Sequence, residues 1–282
     1  MSREPLQYLP PERWGELQAL FKQDWTRGVG GYLVLDVQKQ WVNEGIGSNF
    51  KVYCPYGEVR NGMVAVIDRI QSGNHEIIIQ CPNDDLENLA AALKFTKIIN
   101  WKHLIKVQYA PNHVQDLLKK LAKEINLEIK LVILTEVFIL ETNTPYTDVN
   151  LPEGIHFDLL KNDYLDLVDS TWPYRYQGSA SYFKQLIDAK RGYGLYLNKT
   201  LICWILINES GNLLHLYTIQ EERKKGYAEL LLKLVSNILI ENGKPVVAHC
   251  VKDNTNAYKL YMKAGFAQID PVVFMYLKSN VV

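Results

Sequence analysis

Twice along this chain the apolar pattern passes through one series of elements: two helix-like stretches, three short strand-like runs, a helix, a strand, a helix and a closing strand. A series repeated in architecture but not in letters restricts the fold to a duplicated α/β module, since each copy must bury a sheet under its own helices. In the first copy the helices are read at 11–22, with Trp14, Leu17 and Phe21 on one side, and at "YLVLDVQKQWV". The strands are "FKVYCP", "MVAVID" and "HEIIIQC", separated by the turns "YGEVRNG" and "RIQSGN". The helix "DDLENLAAALKFTKII", a strand near "LIKVQYA", a helix at 111–125 and the long strand "LEIKLVILTEVFIL" follow. "ETNTPYTDVNLPEG" has turn formers and no apolar period, and reads as a linker. The second copy begins at the strand "GIHFDLL" and ends at "FAQIDPVVFMYL". The expected fold class is α/β (α+β, mixed sheet), built as two tandem modules at 1–145 and 146–282.

Composition narrows the partners. A formal net charge of +0 gives no lasting cationic excess, so neither nucleic acid nor a membrane surface is an expected partner. Cys54, Cys81, Cys203 and Cys250 stand too far apart for a metal knuckle or a CxxC pair, so no metal site is expected and the thiols read as reduced. The N-terminal stretch carries Glu4, Glu12 and Glu16 and no apolar signal core. No window approaches the ~20 apolar residues of a membrane helix. The expected location is cytoplasmic, with a mitochondrial one left open.

The two copies differ where the third strand meets the main helix. The first has "CPNDDLENL", whose acids cap a helix but repel phosphate. The second has "EERKKGYA": Arg223, Lys224 and Lys225 surround a helix start, where unpaired N–H groups and the positive dipole end favour anions. Gly226 permits a sharp turn there, and Ala228 keeps the next turn small. Behind it Leu230, Leu231, Leu234, Val235, Ile238 and Leu239 form an apolar side, with Glu229, Lys233, Asn237 and Glu241 turned out. There is no GxxxxGK[ST] loop, and "GVGGYL" and "GYGLYL" lack the third glycine of GxGxxG, at Leu33 and Leu197.

The pattern R-x-x-G-x-A at Arg223, Gly226 and Ala228 resembles the pyrophosphate loop of the GCN5-related N-acetyltransferase superfamily. Further on, Asn254, Ala257, Leu260, Tyr261, Gly265 and Phe266 match that superfamily's N-x-x-A-x-x-L-Y-x-x-x-G-F signature. The surroundings, "VDSTWPYRYQGSASYFKQLI", "CWILINESGNLLHLYTIQEERKKG" and "PVVAHCVKDN", look closer to the glycine N-acyltransferase family, in which the N-terminal half is a degenerate copy of the same fold. The resemblance is good over 151–266 and faint before that.

The resemblance implies acyl-CoA or acetyl-CoA as donor substrate and a small amine, glycine or another amino acid, as acceptor; protein or polyamine acetylation and a catalytically inactive acyl-CoA-binding module are the alternatives. It implies that backbone N–H groups of Lys224, Lys225, Gly226, Tyr227 and Ala228 hold the pyrophosphate. The pantetheine arm would pair with the backbone of Leu216, Tyr217 and Thr218, with Asn254 and Asn256 beside it. Tyr261 matches the superfamily's general acid, which protonates the leaving thiolate. Where the family has a glutamate base this sequence has Asn212, and an amide cannot take up a proton at neutral pH. His215, His249 and Glu209 are the substitute bases, with a bound water or a substrate amine of already low pKa as further alternatives. Trp172, Tyr174, Arg175 and Tyr176 lie where the superfamily borders its acceptor, and Arg175 suits a carboxylate. The oligomeric state is not legible.

Overall fold

The chain opens in a strand that its apolar pattern does not announce. β1 (Leu6–Leu9) is only four residues long and runs straight into Pro10 and Pro11. It pairs antiparallel with β2 (Phe50–Pro55), from Leu6↔Pro55 to Leu9↔Val52. With β1 in place, both copies read strand, helix, helix, three strands, helix, strand, helix, strand. The structure, a computed structural model, describes residues 3–46, 49–69 and 74–280; within the expected turn "RIQSGN", residues 70–73 lie outside these.

After β1 comes α1 (Trp14–Phe21), entered through a 3₁₀ turn at Pro11–Arg13. Trp14, Leu17 and Phe21 are all buried as expected. α2 (Trp25–Asn43) starts seven residues before the periodic stretch, in "WTRGVGG". Its glycines serve close packing rather than breakage. A Cβ on Gly28 would sit 2.0 Å from the carbonyl oxygen of Phe21, and one on Gly31 would sit 2.7 Å from the Phe21 ring. β2, β3 (Met63–Arg69) and β4 (Asn74–Gln80) form an antiparallel ladder. α3 (Glu87–Phe95) is shorter than the apolar run, because Thr96 turns out into an extended conformation and its hydroxyl takes up the N–H of Ile98 (3.1 Å). β5 (Ile105–Pro111), α4 (Asn112–Glu124) and β6 (Leu127–Leu140) complete the first series.

The second series is β7 (Ile155–Leu159), α5 (Leu165–Ser170), α6 (Ser179–Asp188), β8 (Gly192–Leu197), β9 (Thr200–Ile207), β10 (Leu213–Thr218), α7 (Tyr227–Glu241), β11 (Val246–Val251), α8 (Thr255–Lys263) and β12 (Ala267–Ser279). By compactness the chain divides into one unit of Met1–Glu136 with Ile269–Val282 and a second of Val137–Gln268. This differs from a cut at 145/146 in two places. The end of β6 goes with unit 2, and β12 pairs antiparallel with β5 in unit 1, from Val272↔Pro111 to Leu277↔Ile105. The last strand of the second series thus completes the sheet of the first unit. Apolar periodicity gives a strand's faces, not its neighbours.

Unit 1 orders its strands β1-β2-β3-β4-β5-β12, with helices on both faces. Met63, Ala65 and Ile67 pack with α1 and α2, whereas Val64, Ile77 and Ile79 pack with α3 and α4. Burial on both sides explains why "MVAVI" is apolar throughout instead of alternating. Unit 2 orders β7-β8-β9-β10-β11, with the end of β6 beside β11. Cys203, Ile205 and Ile207 of β9 and Val246, Ala248 and Cys250 of β11 join α7 and α8 in one core. The segment read as a linker is strapped to α7. Asn237 accepts the Tyr146 N–H (2.7 Å) and donates to its carbonyl (2.9 Å), and Lys233 pairs with Asp148 (2.6 Å) and Glu229 (3.1 Å). Lys233 and Asn237, expected to face solvent, are therefore covered.

Candidate functional site

β10 carries two leucines in succession before its histidine, which breaks strict alternation. The structure turns this into a β-bulge. Against β9, Leu214 pairs with Leu206 and Tyr217 with Trp204, so His215 and Leu216 stand opposite the single residue Ile205. His215 has φ +52. On its other side β10 meets β11 in parallel at one register position, Leu213↔Ala248; past it the strands diverge. The corresponding strands of unit 1, β4 and β5, stay paired over four positions, from His75↔Ile105 to Ile78↔Gln108. Glu76, buried between them, accepts from Lys106 (3.2 Å) and Gln108 across the pair. Unit 2 has an open fork where unit 1 has a closed seam.

The fork leads to the basic turn. Lys224 (φ +62) and Gly226 (φ +87) both take left-handed conformations, which turns successive N–H groups toward one spot. A Cβ on Gly226 would meet no atom within 4 Å, so glycine is needed here for its φ and not for room. No side chain caps α7. Among the described residues, the N–H groups of Lys224, Lys225, Gly226, Tyr227, Ala228 and Glu229 have no acceptor, and the first helical bond is Leu230 N–H to the Gly226 carbonyl (3.0 Å). Six unpaired donors at a positive helix end are a geometry that suits an anion. Unit 1 fills the matching place with its own carboxylates. Asp85 accepts the Glu87 N–H (3.1 Å), and Asp84 is held by Arg27 (2.8 Å).

The three cations do different work from the shared ring of charge expected of them. Arg223 turns back onto β10. Its Nε donates to the Thr218 carbonyl (3.0 Å), and its guanidinium lies 5.1 Å from the centre of the Tyr217 ring, which stacks on Trp204. Arg223 is a brace that fixes the loop to the strand, and it occupies the Thr218 carbonyl expected to be open for pairing. Lys225 is half-exposed and pairs with Glu222 (2.8 Å), which raises its pKa. Lys224 is exposed.

A family model described as "FR47-like protein" matches residues 192–275. Glycine N-acyltransferases of Rattus norvegicus and Mus musculus are 23% identical over 199 residues, which cover 64% of this chain and 67% of each relative. A crystal structure of a Drosophila protein aligns over 99% of this chain and 100% of its own, with TM-score 0.85 and 20% identity. A GCN5-related N-acetyltransferase from Sphaerobacter thermophilus aligns over 97% and 94%, with TM-score 0.55 and 13% identity. The fold is that of the GCN5-related N-acetyltransferases.

Within this N-acetyltransferase fold, the remaining candidates fall into two groups. Tyr261 of α8 is 5% exposed, its ring set between Phe138 (5.1 Å) and Phe266 (5.5 Å). Burial raises its pKa, so the phenol keeps its proton. Its hydroxyl makes no hydrogen bond among the described residues and is not sealed from solvent. Asn254 spends its side-chain oxygen on the Ala257 N–H (3.1 Å) as the cap of α8, so only its NH₂ is left for a ligand. Asn256 is exposed on the first turn of the same helix.

The substitute bases are weaker than sequence suggests. His215 places Nε2 2.9 Å from the Val168 carbonyl, tying the bulge to α5, and burial holds its pKa down to about 4. Burial also holds His249 to about 4. Both are neutral at pH 7, but so low a pKa makes a poor acceptor for an ammonium proton. Glu209 accepts from the Tyr182 hydroxyl (2.7 Å). Arg175 pairs its Nε with buried Asp169 (2.7 Å), which also accepts from Ser179, while most of its side chain stays exposed. That carboxylate anchors the loop carrying Trp172, Tyr174 and Tyr176, and nothing in its sequence spacing marks it. Among the described residues, no group of three or more His, Cys, Asp or Glu is placed to hold a metal, and no helix is long and apolar enough to cross a membrane.

Proposed function

We propose that this chain is an acyl-CoA-dependent N-acyltransferase whose second unit binds the donor and whose acceptor is a small amine, with glycine and other amino acids the first class to test. The observation that carries this is the pairing of an open β10–β11 fork with six unpaired N–H groups, none bonded to a carboxylate, in unit 2, where unit 1 has a paired β4–β5 seam and Asp84, Asp85 and Glu87 at its helix start. A diphosphate suits the six donors. An extended amide-bearing arm suits the unpaired strand edges of the fork. The names of the rat and mouse relatives support acyl transfer to an amine. In this reading the Tyr217 region of β10 polarises the thioester carbonyl and Tyr261 returns a proton to the departing thiolate. The low basicity of His215 and His249 favours one second reading, an acyl-CoA-binding module without turnover. Thiol release from acetyl-, benzoyl- and long-chain acyl-CoA, with and without small amines, separates the two. Amine-dependent release supports transfer; binding by calorimetry without release supports the module.

A further inference from the structure

The outermost strand of a sheet presents unpaired N–H and C=O groups, and natural proteins blunt such edges with shortness, proline or outward charge. Two edges of this fold are blunted in that way. β1 is four residues long and stands between Pro5 and Pro10. β7 is five residues long and turns out His156 and Asp158. β6 is different. It has fourteen residues, and on one side β12 runs beside it, with the Asn280 N–H donating to the Asn126 carbonyl (3.2 Å) at its start. On its other side the sheet order places only β11, which has six residues and lies by the end of β6. The first half of β6 therefore has an edge that no strand among the described residues covers.

That edge is also apolar. Glu128, Ile129, Lys130, Leu131 and Val132 are all exposed. Leu131 is 49% exposed, Val132 40% and Ile129 36%, and no other strand among the described residues exposes more than one large apolar side chain. The order of residues along the edge decides which strand fits it. When two copies of one strand pair antiparallel about a two-fold axis normal to the sheet, opposed residues share a face, so the axis passes through a residue position. An axis at Glu128 or Lys130 sets like charges face to face. An axis at Leu131 or Val132 sets Lys130 against an apolar residue. An axis at Ile129 sets Glu128 against Lys130 twice, Leu127 against Leu131 twice and Ile129 against itself. Glu128 and Lys130 already share a face of their own strand, paired at 2.6 Å. The four charges then alternate in sign around the axis, and the apolar side chains meet on the opposite face.

We propose that the first half of β6 is covered by the same segment of a second copy of this chain, paired antiparallel about Ile129, so that the sheet runs on from one protomer into its partner. Each copy gives Leu127, Ile129 and Leu131 to a shared apolar strip, and Glu128 and Lys130 to a shared set of alternating charges. The pairing also gives the edge N–H and C=O groups strand partners in place of water. Charge decides the occupant. An edge of one sign would fit a foreign strand of the opposite sign, whereas this edge is complementary to its own reverse, and the registers on either side are rejected by like charges. The proposal stands apart from the acyl-transfer reading, since it uses no residue of the helix start or the fork.

Sedimentation equilibrium of the full chain across the micromolar range tests it. A monomer–dimer equilibrium is expected. Glu128→Lys and Lys130→Glu each set two pairs of like charges face to face and should weaken the dimer at least about tenfold. Combining Glu128→Lys with Lys130→Glu should restore it, which a pair of merely misfolded variants would not do. Cross-linking reads the register independently. Ile129→Cys should form a disulfide between copies on mild oxidation, whereas Leu131→Cys, opposed to Leu127, should not; the four native cysteines are buried. A chain that stays monomeric throughout overturns the proposal and leaves the edge to a strand of another protein. A dimer that neither charge variant weakens, or one that cross-links through Leu131→Cys and not Ile129→Cys, also overturns it, because the copies then meet elsewhere or in another register.

Discussion

Replacing Gly226 with aspartate would put a carboxylate at the start of α7, as unit 1 has near the start of α3. In unit 1 Asp85, one residue before the N-cap Leu86, accepts the Glu87 N–H; in unit 2 the N-cap of α7 is a glycine at φ +87. The change has two separable effects. A Cβ at 226 meets no atom within 4 Å, so its cost is conformational, about 1 kcal/mol for a left-handed non-glycine residue. The new carboxylate offsets part of this through the helix dipole, worth about 0.3–1 kcal/mol. Stability by denaturant titration should therefore stay within about 1 kcal/mol of the native chain. Binding should not. Each phosphate charge of a bound diphosphate would face the carboxylate at about 4 Å, costing about 1 kcal/mol apiece in a water-like dielectric and more if the site is shielded. The expected loss in coenzyme A affinity is at least about 2 kcal/mol, roughly thirtyfold in Kd. Calorimetry with coenzyme A reads it directly. Unchanged affinity in a folded Gly226→Asp protein would refute the anion site, and lost affinity together with lost stability would show that the argument had confused binding with folding.

Three further outcomes are expected. Tyr261→Phe should fold normally, since the hydroxyl makes no hydrogen bond among the described residues, and should lower turnover while leaving acyl-CoA affinity intact; equal turnover in a steady-state assay would remove Tyr261 from proton return. Asp169→Ala should destabilise unit 2 by about 1–3 kcal/mol, because the charge-assisted bonds from buried Ser179 and from Arg175 are lost together, with only the Tyr176 carbonyl left to the Ser179 hydroxyl, and should raise the acceptor KM more than it changes donor affinity. His215 and His249 hold folded pKa values of about 4 against about 6.5 when unfolded. The unfolded chain then binds more protons in between, so stability is complete above pH 6.5 and falls as the pH drops toward 4, by up to about 3 kcal/mol per histidine. A thermal melt series over that window checks it, and His215→Gln should reduce the slope.

Most of the fold was legible because strands and helices covered by helices leave strong patterns. β2 and β6 have the bounds that their apolar runs imply, and the α1 face was readable from Trp14, Leu17 and Phe21. What was not legible depended on pairing. β1 is too short for a period, and nothing local says that β12 joins β5 rather than its own series. The left-handed Gly226 and the free helix start were readable because both follow from residue type and position. The brace formed by Arg223 was not, since a charge run shows how many cations are present and not what each one touches. The buried state of Ser210 and Asn212, in the turn between β9 and β10, was equally hidden, because a polar Gly-containing turn reads as exposed by composition alone.

In the proposed function unit 2, and not unit 1, binds the donor at its helix start and fork. Amide resonances followed by NMR during a titration with coenzyme A test it most directly. Shifts should concentrate at residues 224–229 and 214–218, with residues 84–90 unmoved. Shifts of equal size at 84–90, or none at 224–229 under saturating ligand, would contradict it.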